Sequence, residues 1–257
     1  MRIATWNVNS IRARQERLFS WPLAQQPDVV CLQEIKVSKE SFPFAELREL
    51  GYHAVVCGQK TYNGVAILAR TKPADVEHGI NDGVEDSQAR LIAATVQGIR
   101  VISAYVPNGA KMGTDKYAYK LEWMRRLKAY LKRCYTSSDP LILCGDFNVA
   151  PEGRDVANPG VWEGSVLFNP EVRALLCEIL DQSLVDTFRL HHSEGGHYSW
   201  WDYRRLAFPR NDGLRLDHIF ATPPLAERCA GAFIDRGQRQ GSKPSDHAPV
   251  VADFNWP

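Results

Sequence analysis

Hydrophobic residues enter this chain as short continuous runs, set apart by longer stretches in which they recur every three or four positions, so strands and helices alternate. Ile3-Ala4-Thr5-Trp6 and Val29-Val30-Cys31-Leu32 read as strands. The stretch between them opens at Ser10, an N-cap residue type, and carries apolar Ile11, Leu18 and Trp21, which predicts a helix. A second helix is expected from about Ser41-Phe42-Pro43, where proline suits a first turn, to Gly51, which can take a left-handed cap. Residues 52–57, 64–69, 90–96 and 100–106 then form short segments with β-branched residues. Turn pairs such as Asn63-Gly64 and Gln97-Gly98 separate them, so antiparallel neighbours are predicted.

The second half repeats the plan. A helix over 115–134 places Tyr119, Trp123, Leu127 and Leu131 on one face, and the apolar strand 141–144 follows it. A loop rich in Pro, Gly and charge runs from 148 to 169. Asn169-Pro170 reads as the N-cap and first-turn proline of a helix to Leu180, and strands are expected at 214–221, 231–234 and 250–254. Two comparable halves of strands and helices imply one two-layered β core covered by helices, a single domain over residues 1–257.

Composition narrows the function classes. A chain of 257 residues can bury roughly 70–75% of its unfolded surface. With 31 Lys plus Arg against 30 Asp plus Glu, it is neither a polycation nor an acidic tail protein. Cys31, Cys57, Cys134, Cys144, Cys177 and Cys229 include no C-x-x-C pair, which argues against a disulfide framework or zinc ribbon and for thiols that are mostly buried, in a reducing compartment. No apolar stretch approaches the ~18 residues of a membrane span, so secretion and membrane insertion are not expected. There is no P-loop and no G-x-G-x-x-G. His53, His78, His191, His192, His197 and His218 lack zincin spacing and are read as structural.

What remains is a set of polar residues at strand ends. One apolar strand ends in Trp6-Asn7-Val8-Asn9, another in Gln33-Glu34, a third in Gly145-Asp146-Phe147-Asn148, and Asp217 sits among apolar neighbours. Burying such acids and amides is costly unless a metal or mutual hydrogen bonds compensate. Glu34 suits Mg²⁺, which takes one or two carboxylates plus water and phosphate. Asp146 and Asn148 alternate along an extended segment, so an acid to take a proton and an amide to donate face the same way. Ser245-Asp246-His247-Ala248-Pro249 sets an acid beside an imidazole.

In that order Asn7, Glu34, Asp146, Asn148, Asp217 and Asp246-His247 supply what a Mg²⁺-dependent phosphodiester hydrolase needs. The segments Trp6-Asn7-Val8-Asn9-Ser10, Leu32-Gln33-Glu34-Ile35-Lys36, Tyr105-Val106-Pro107-Asn108, Gly145-Asp146-Phe147-Asn148, Ser199-Trp200-Trp201-Asp202-Tyr203-Arg204, Gly213-Leu214-Arg215-Leu216-Asp217 and Ser245-Asp246-His247-Ala248-Pro249 span nearly the whole chain. Together they resemble the exonuclease III family of apurinic/apyrimidinic (AP) endonucleases, in the deoxyribonuclease I-like superfamily. Departures from the family pattern are mild: Ile35 stands where many relatives have Thr, remote from the ligand chemistry.

The resemblance implies a four-layer α/β sandwich with two packed mixed sheets flanked by helices and the site at one edge. It implies a Mg²⁺ ligand in Glu34, with Mn²⁺ as a substitute, a further acid near the metal in Asp246, and a water-activating carboxylate in Asp146 oriented by Asn7. Tyr105, Asn108 and Asn148 would surround the scissile phosphate, Asp217 would fix His247, and Trp200 and Leu214 would line a pocket for a base-free sugar. The implied activity is cleavage 5′ to abasic sites, with 3′ to 5′ exonuclease and 3′-end-cleaning action, on double-stranded DNA with abasic sites or 3′ ends. A cytoplasmic monomer acting at the nucleoid is expected. Arg12, Lys36, Lys60, Lys111, Lys116, Lys120, Arg204 and Arg215 are candidate phosphate contacts. The rivals are a lipid phosphoesterase of the same superfamily, which would want an apolar membrane-facing loop, and a noncatalytic DNA-binding protein, which would be expected to have lost an acid.

Overall fold

The computed structural model describes residues 1–256. Its twelve strands are β1 (Arg2–Asn7), β2 (Val29–Gln33), β3 (His53–Cys57), β4 (Val65–Ala69), β5 (Ala74–His78), β6 (Leu91–Val96), β7 (Ile99–Tyr105), β8 (Leu141–Asp146), β9 (Val185–Asp186), β10 (Asp217–Ala221), β11 (Cys229–Ile234) and β12 (Val250–Phe254). They form two six-stranded sheets, ordered β11-β12-β1-β2-β4-β3 and β5-β6-β7-β8-β10-β9. Each sheet holds one parallel pair, β1 with β2 and β7 with β8, among antiparallel neighbours.

The sheets stack through Ile3, Val29, Ile67, Val101, Ile142 and Ile219. Helices α1 (Gln15–Gln25) and α2 (Phe44–Glu49) cover the outer face of the first sheet with Leu18, Trp21 and Leu47. Helices α3 (Asp115–Cys134) and α5 (Pro170–Leu180) cover the second with Met124, Leu127, Leu131, Val172 and Ile179. The short α4 (Pro159–Trp162), α6 (Thr187–His191) and α7 (Pro223–Ala226) lie in connections. The result is the expected four-layer sandwich. Strands β2, β4 and β8 are buried on both faces, which is why they read as unbroken apolar runs.

Helix α3 is capped by Thr114, and the cap at Asn169 and the positive φ of Gly51 agree with the sequence reading. Ser10 does not. Its φ of 87° belongs to a turn, and α1 begins at Gln15 after a 3₁₀ turn over Arg12–Arg14, with no side-chain cap. Strand β5 was not foreseen because Ala-Asp-Val-Glu-His is an exposed edge with a bulge and almost no apolar signal.

Strand direction places the polar strand ends together. The C-termini of β1 and β2 lie side by side, Asn7 opposite Gln33, and those of β7 and β8 likewise, Tyr105 opposite Asp146. Antiparallel β10 begins with Asp217 opposite Asp146. Antiparallel β12 begins at Val250 opposite Thr5, so the preceding His247 segment reaches the same rim.

Gly145 has a φ of 146°, and a Cβ there would stand 1.8 Å from the carbonyl oxygen of Ala104 on β7. The glycine before Asp146 is thus required by the close parallel pairing of β7 with β8. Gly145→Ala is expected to destabilise the fold by about 2–4 kcal/mol, read as a lower urea midpoint. A midpoint equal to that of the wild type would show that β7 yields without cost.

Candidate active site

The centre of the rim is Asn7, which is wholly buried. Its Nδ2 donates to Glu34 Oε1 (2.8 Å) and to Asp146 Oδ2 (2.9 Å), while its Oδ1 accepts from the backbone of Asn9 (2.9 Å). Asp146 Oδ1 also accepts from the backbone N–H of Asn148 (2.9 Å), and its Oδ2 from the Asn148 amide (3.2 Å). Asn148 has a φ of 49°, so the segment turns at that residue and is not extended as expected, although both side chains still face the same site. Asn108 donates to Asn148 Oδ1 (3.0 Å). Tyr105 stands beside them with Arg90 over its ring at 4.6 Å. A cleft of about 590 Å³ opens there, its lining including Tyr105, Asn108 and Lys116.

On the opposite side, His247 Nδ1 meets Asp217 Oδ2 at 2.8 Å, and its Nε2 lies 3.7 Å from Asp146 Oδ2. Ser199 locks this arrangement. Its hydroxyl donates to Asp217 Oδ2 (2.6 Å) and accepts from the backbones of Leu216 and Asp217. Asp246 accepts from Asn9 Nδ2 (2.9 Å) and from Trp200 Nε1 (3.0 Å), and Trp162 sets its edge against Trp200 with centroids 5.8 Å apart. Sequence reasoning gave no role to Asn9, Ser199 or Trp162. The first two stand inside the recognised segments, whereas Trp162 lies in a loop without periodicity.

Glu34, Asp146 and His247 bring ligand atoms within 4.8 Å of one another. Asp246 lies outside that group and joins it through Asn9. The four carboxylates Glu34, Asp146, Asp217 and Asp246 meet only two side-chain cations, Lys36 at 2.8 Å from Glu34 and His247. Burial pushes Asp146 up, to about 7, with Asp217 adding to the rise and His247 opposing it. Burial works against charge on His247 as well, but Asp217 and then Asp146 outweigh it and lift the imidazole to about 10. Burial and the charges of Glu34 and Asp146 raise Tyr105 well above its ordinary value, so its hydroxyl stays a donor. A buried, oxygen-rich cluster with more negative than positive charge fits a hard divalent cation.

Several expected DNA contacts are not surface groups. Lys120 is wholly buried and donates to the carbonyls of Asn108, Asn148 and Val166 at 2.7–3.1 Å, and burial lowers its pKa to about 7. Arg215 is buried between Asp155 (2.6 Å), Asp186 (2.8 Å) and His218 Nδ1 (3.0 Å). Lys36 turns inward onto Glu34 and Asn9. Three carbonyls in one case and carboxylates in the others supply the countercharge or acceptors that solvent would have given. Leu214 is wholly buried and pairs with Trp200 from behind, and Trp201 is core, its ring edge-on to Phe208. Arg12, Lys60, Lys111, Lys116 and Arg204 are exposed, Arg204 forked onto Asp202. His218 is structural as expected, donating to Val149, with its pKa lowered to about 4 by burial and by Arg215. Among the described residues no helix is long and apolar enough to cross a membrane.

Comparison with known proteins places this geometry. The profile of the Endonuclease/Exonuclease/phosphatase family matches residues 4–247. The chain is 37% identical over 266 residues to exodeoxyribonuclease III of Haemophilus influenzae, covering 99% of this chain and 100% of the relative. Among solved structures it superposes on an AP endonuclease from Archaeoglobus fulgidus with a TM-score of 0.97 at 43% identity, covering 99% of each chain. It superposes equally, at 41% identity and 100% of both chains, on the 3′-5′ exonuclease NExo of Neisseria meningitidis, again with a TM-score of 0.97. The chain belongs to the exonuclease III family of AP endonucleases, within the deoxyribonuclease I-like superfamily.

Proposed function

We propose that this protein is a Mg²⁺-dependent DNA-repair phosphodiesterase that cuts the backbone 5′ to abasic sites and also acts as a 3′ to 5′ exonuclease and 3′-end cleaner on duplex DNA. It works as a single catalytic domain, a monomer, in the cytoplasm where DNA is exposed. The observation that carries this reading is the joint hold of Asn7 on Glu34 and Asp146, with His247 backed by Asp217 on the facing side. A noncatalytic binder would have no use for that set intact. The names of its relatives span both incision and exonuclease action.

Glu34 would hold the Mg²⁺ with Asp146, Asp246 lying next to them through Asn9, and Mn²⁺ would suit the same oxygen donors. Bound there, the cation would supply positive charge for the scissile phosphate and the departing 3′ oxygen. Asp146 takes the proton of the attacking water. Asn7 keeps that carboxylate aimed, since both of its amide hydrogens are committed to acids. Tyr105, Asn108, Asn148 and the Nε2 of His247 donate to the nonbridging oxygens as charge builds, and Asp217 keeps the imidazole turned toward them. Trp200, supported by Leu214 and Trp162, walls the place for a sugar without its base, so an intact nucleotide is refused by size. Arg12, Lys60, Lys111, Lys116 and Arg204 are the remaining exposed candidates for backbone phosphates.

Purified protein with Mg²⁺ should cut an abasic duplex and shorten a blunt intact duplex from its 3′ ends while leaving a phosphoinositide untouched. Turnover of the lipid alone would overturn the assignment. Asp146→Asn should keep duplex binding and lose about 10²- to 10⁴-fold in cleavage, measured by gel shift and single-turnover rate; unaltered turnover in excess Mg²⁺ would remove Asp146 from its role. Glu34→Ala should raise the Mg²⁺ concentration for half-maximal rate about tenfold or more, and a titration superimposing on the wild type would strike Glu34 from the ligands. The charge on His247 persists to about pH 10 because of Asp217. Asp217→Asn removes the strongest upward pull, so the alkaline limb of the kcat/KM profile should move down toward the ordinary imidazole range, about 6.5; an unmoved limb would show that another group titrates there.

A further inference from the structure

On the far side of the Ser199–Trp200 segment, the chain folds His192-Ser193-Glu194-Gly195-Gly196-His197 into a tight turn that brings three ligand atoms within 4.8 Å of one another. Glu194 Oε1 lies 2.8 Å from His197 Nε2 and 3.6 Å from His192 Nδ1. In a tetrahedral site with bonds of about 2.0–2.1 Å, neighbouring ligand atoms stand about 3.3 Å apart, so these separations straddle the required edge. We propose that His192, Glu194 and His197 form a second metal site, for a transition-metal dication such as Zn²⁺, separate from the catalytic rim.

Three features distinguish the turn from a chance hydrogen bond. His192 Nε2 meets the carbonyl of Ala232 on β11 at 2.7 Å, so in the neutral ring that nitrogen carries the hydrogen and Nδ1 presents a lone pair. A lone pair facing a carboxylate oxygen is repulsive, and either a proton on Nδ1 or a metal cation between the two atoms relieves it. A carbonyl partner on the outer nitrogen is also the usual support of a metal-bound histidine. Next, the backbone is pinned before any ion arrives. Arg189 donates to the carbonyls of His192 (2.9 Å) and Glu194 (2.7 Å), and Arg154 to that of Ser193 (2.7 Å). Both guanidiniums are paired, Arg189 with Asp155 and Arg154 with Glu152, so neither opposes a cation as a free charge. Finally, the rings are held: Phe188 stacks on His192 with centroids 4.3 Å apart and meets His197 edge-on at 5.5 Å.

Two imidazoles with one carboxylate favour Zn²⁺, Co²⁺ or Ni²⁺ over Mg²⁺, whereas the catalytic cluster is dominated by oxygen. Three protein ligands leave a position for water. The ion would tie the end of α6, through the turn that follows it, to the segment whose Ser199 holds Asp217 and whose Trp200 holds Asp246. Its role would therefore be to stiffen the wall of the active site.

The chelator-stripped protein, kept in millimolar Mg²⁺ to occupy the catalytic site, should be titrated with Zn²⁺ by calorimetry and with Co²⁺ by visible absorption. The wild type should bind one ion through this turn and gain thermal midpoint on Zn²⁺ addition. His197→Gln and Glu194→Gln should weaken that binding about tenfold or more, abolish the midpoint gain and keep Mg²⁺-supported cleavage. Glu194 is exposed, so its substitution leaves folding intact even if His197→Gln does not. Zn²⁺ isotherms for the variants that match the wild type, or Zn²⁺ binding that vanishes only in Glu34→Gln, would overturn the proposal.

Discussion

A single carboxamide holds the two halves of this molecule in working order. Asn7 ends a strand of one sheet and Asp146 ends a strand of the other, so the 2.9 Å bond between them bridges the sandwich at its rim. The second amide hydrogen goes to Glu34, and the amide oxygen is fixed by the backbone of Asn9. Two buried carboxylates so close would repel each other. A neutral group with two hydrogens and no negative charge relieves that repulsion without neutralising either acid, and so leaves both available to a cation. Aspartate there would add charge, and an apolar residue would leave two buried acids without a donor.

Below that bridge the seam between the sheets is not wholly apolar. Thr5 donates to Gln33 (3.1 Å), and Gln33 donates to Ser103 on the opposite sheet (3.1 Å), all three buried. Leaving any one of these polar groups unpaired would cost about 1–3 kcal/mol. Hydrophobic contact alone would let two sheets slide. A directional strip within it penalises sliding and thereby fixes the distance between strand ends on which the chemistry depends.

The sequence exposes its architecture where local pattern and tertiary environment agree. The helix over Asp115–Cys134 could be read because Tyr119, Trp123, Leu127 and Leu131 recur at helical spacing as a stripe along one face. The rim residues were legible because acids and amides at the ends of apolar strands are expensive and recur in recognisable blocks. Burial of cations was not legible. Arg215 and Lys120 adjoin those blocks and look like phosphate contacts, yet the partner of Arg215 at Asp155 lies 60 residues away and the three carbonyls around Lys120 come from separate loops. Local sequence carries no trace of such partners. The apolar residues of the loop are equally silent about their partners: a loop rich in charge looks exposed, but Trp201 turns inward to make a small core with Ala207 and Ala248, and Leu214 is buried and paired with Trp200. The spacing criterion applied to His192 and His197 is drawn from helices and says nothing of a turn containing Gly195 and Gly196.

The formal charge of +1 conceals a local excess of acid at the rim. There, Glu34, Asp146, Asp217 and Asp246 outnumber the cations they touch. The exposed candidate contacts Arg12, Lys60, Lys111, Lys116 and Arg204 are scattered, Arg12 on the 3₁₀ turn before α1, Lys116 at the start of α3 and the others on loops. A phosphodiester would be held at a distance by these residues and repelled by the rim itself. A divalent cation reverses the local sign, so phosphate and cation must strengthen each other's binding at the same point, as linkage requires of two ligands that share a site. A near-neutral chain can therefore act on a polyanion without a continuous basic patch, because scattered cations need only hold the backbone while a bound cation would supply the strongest attraction where bond cleavage occurs.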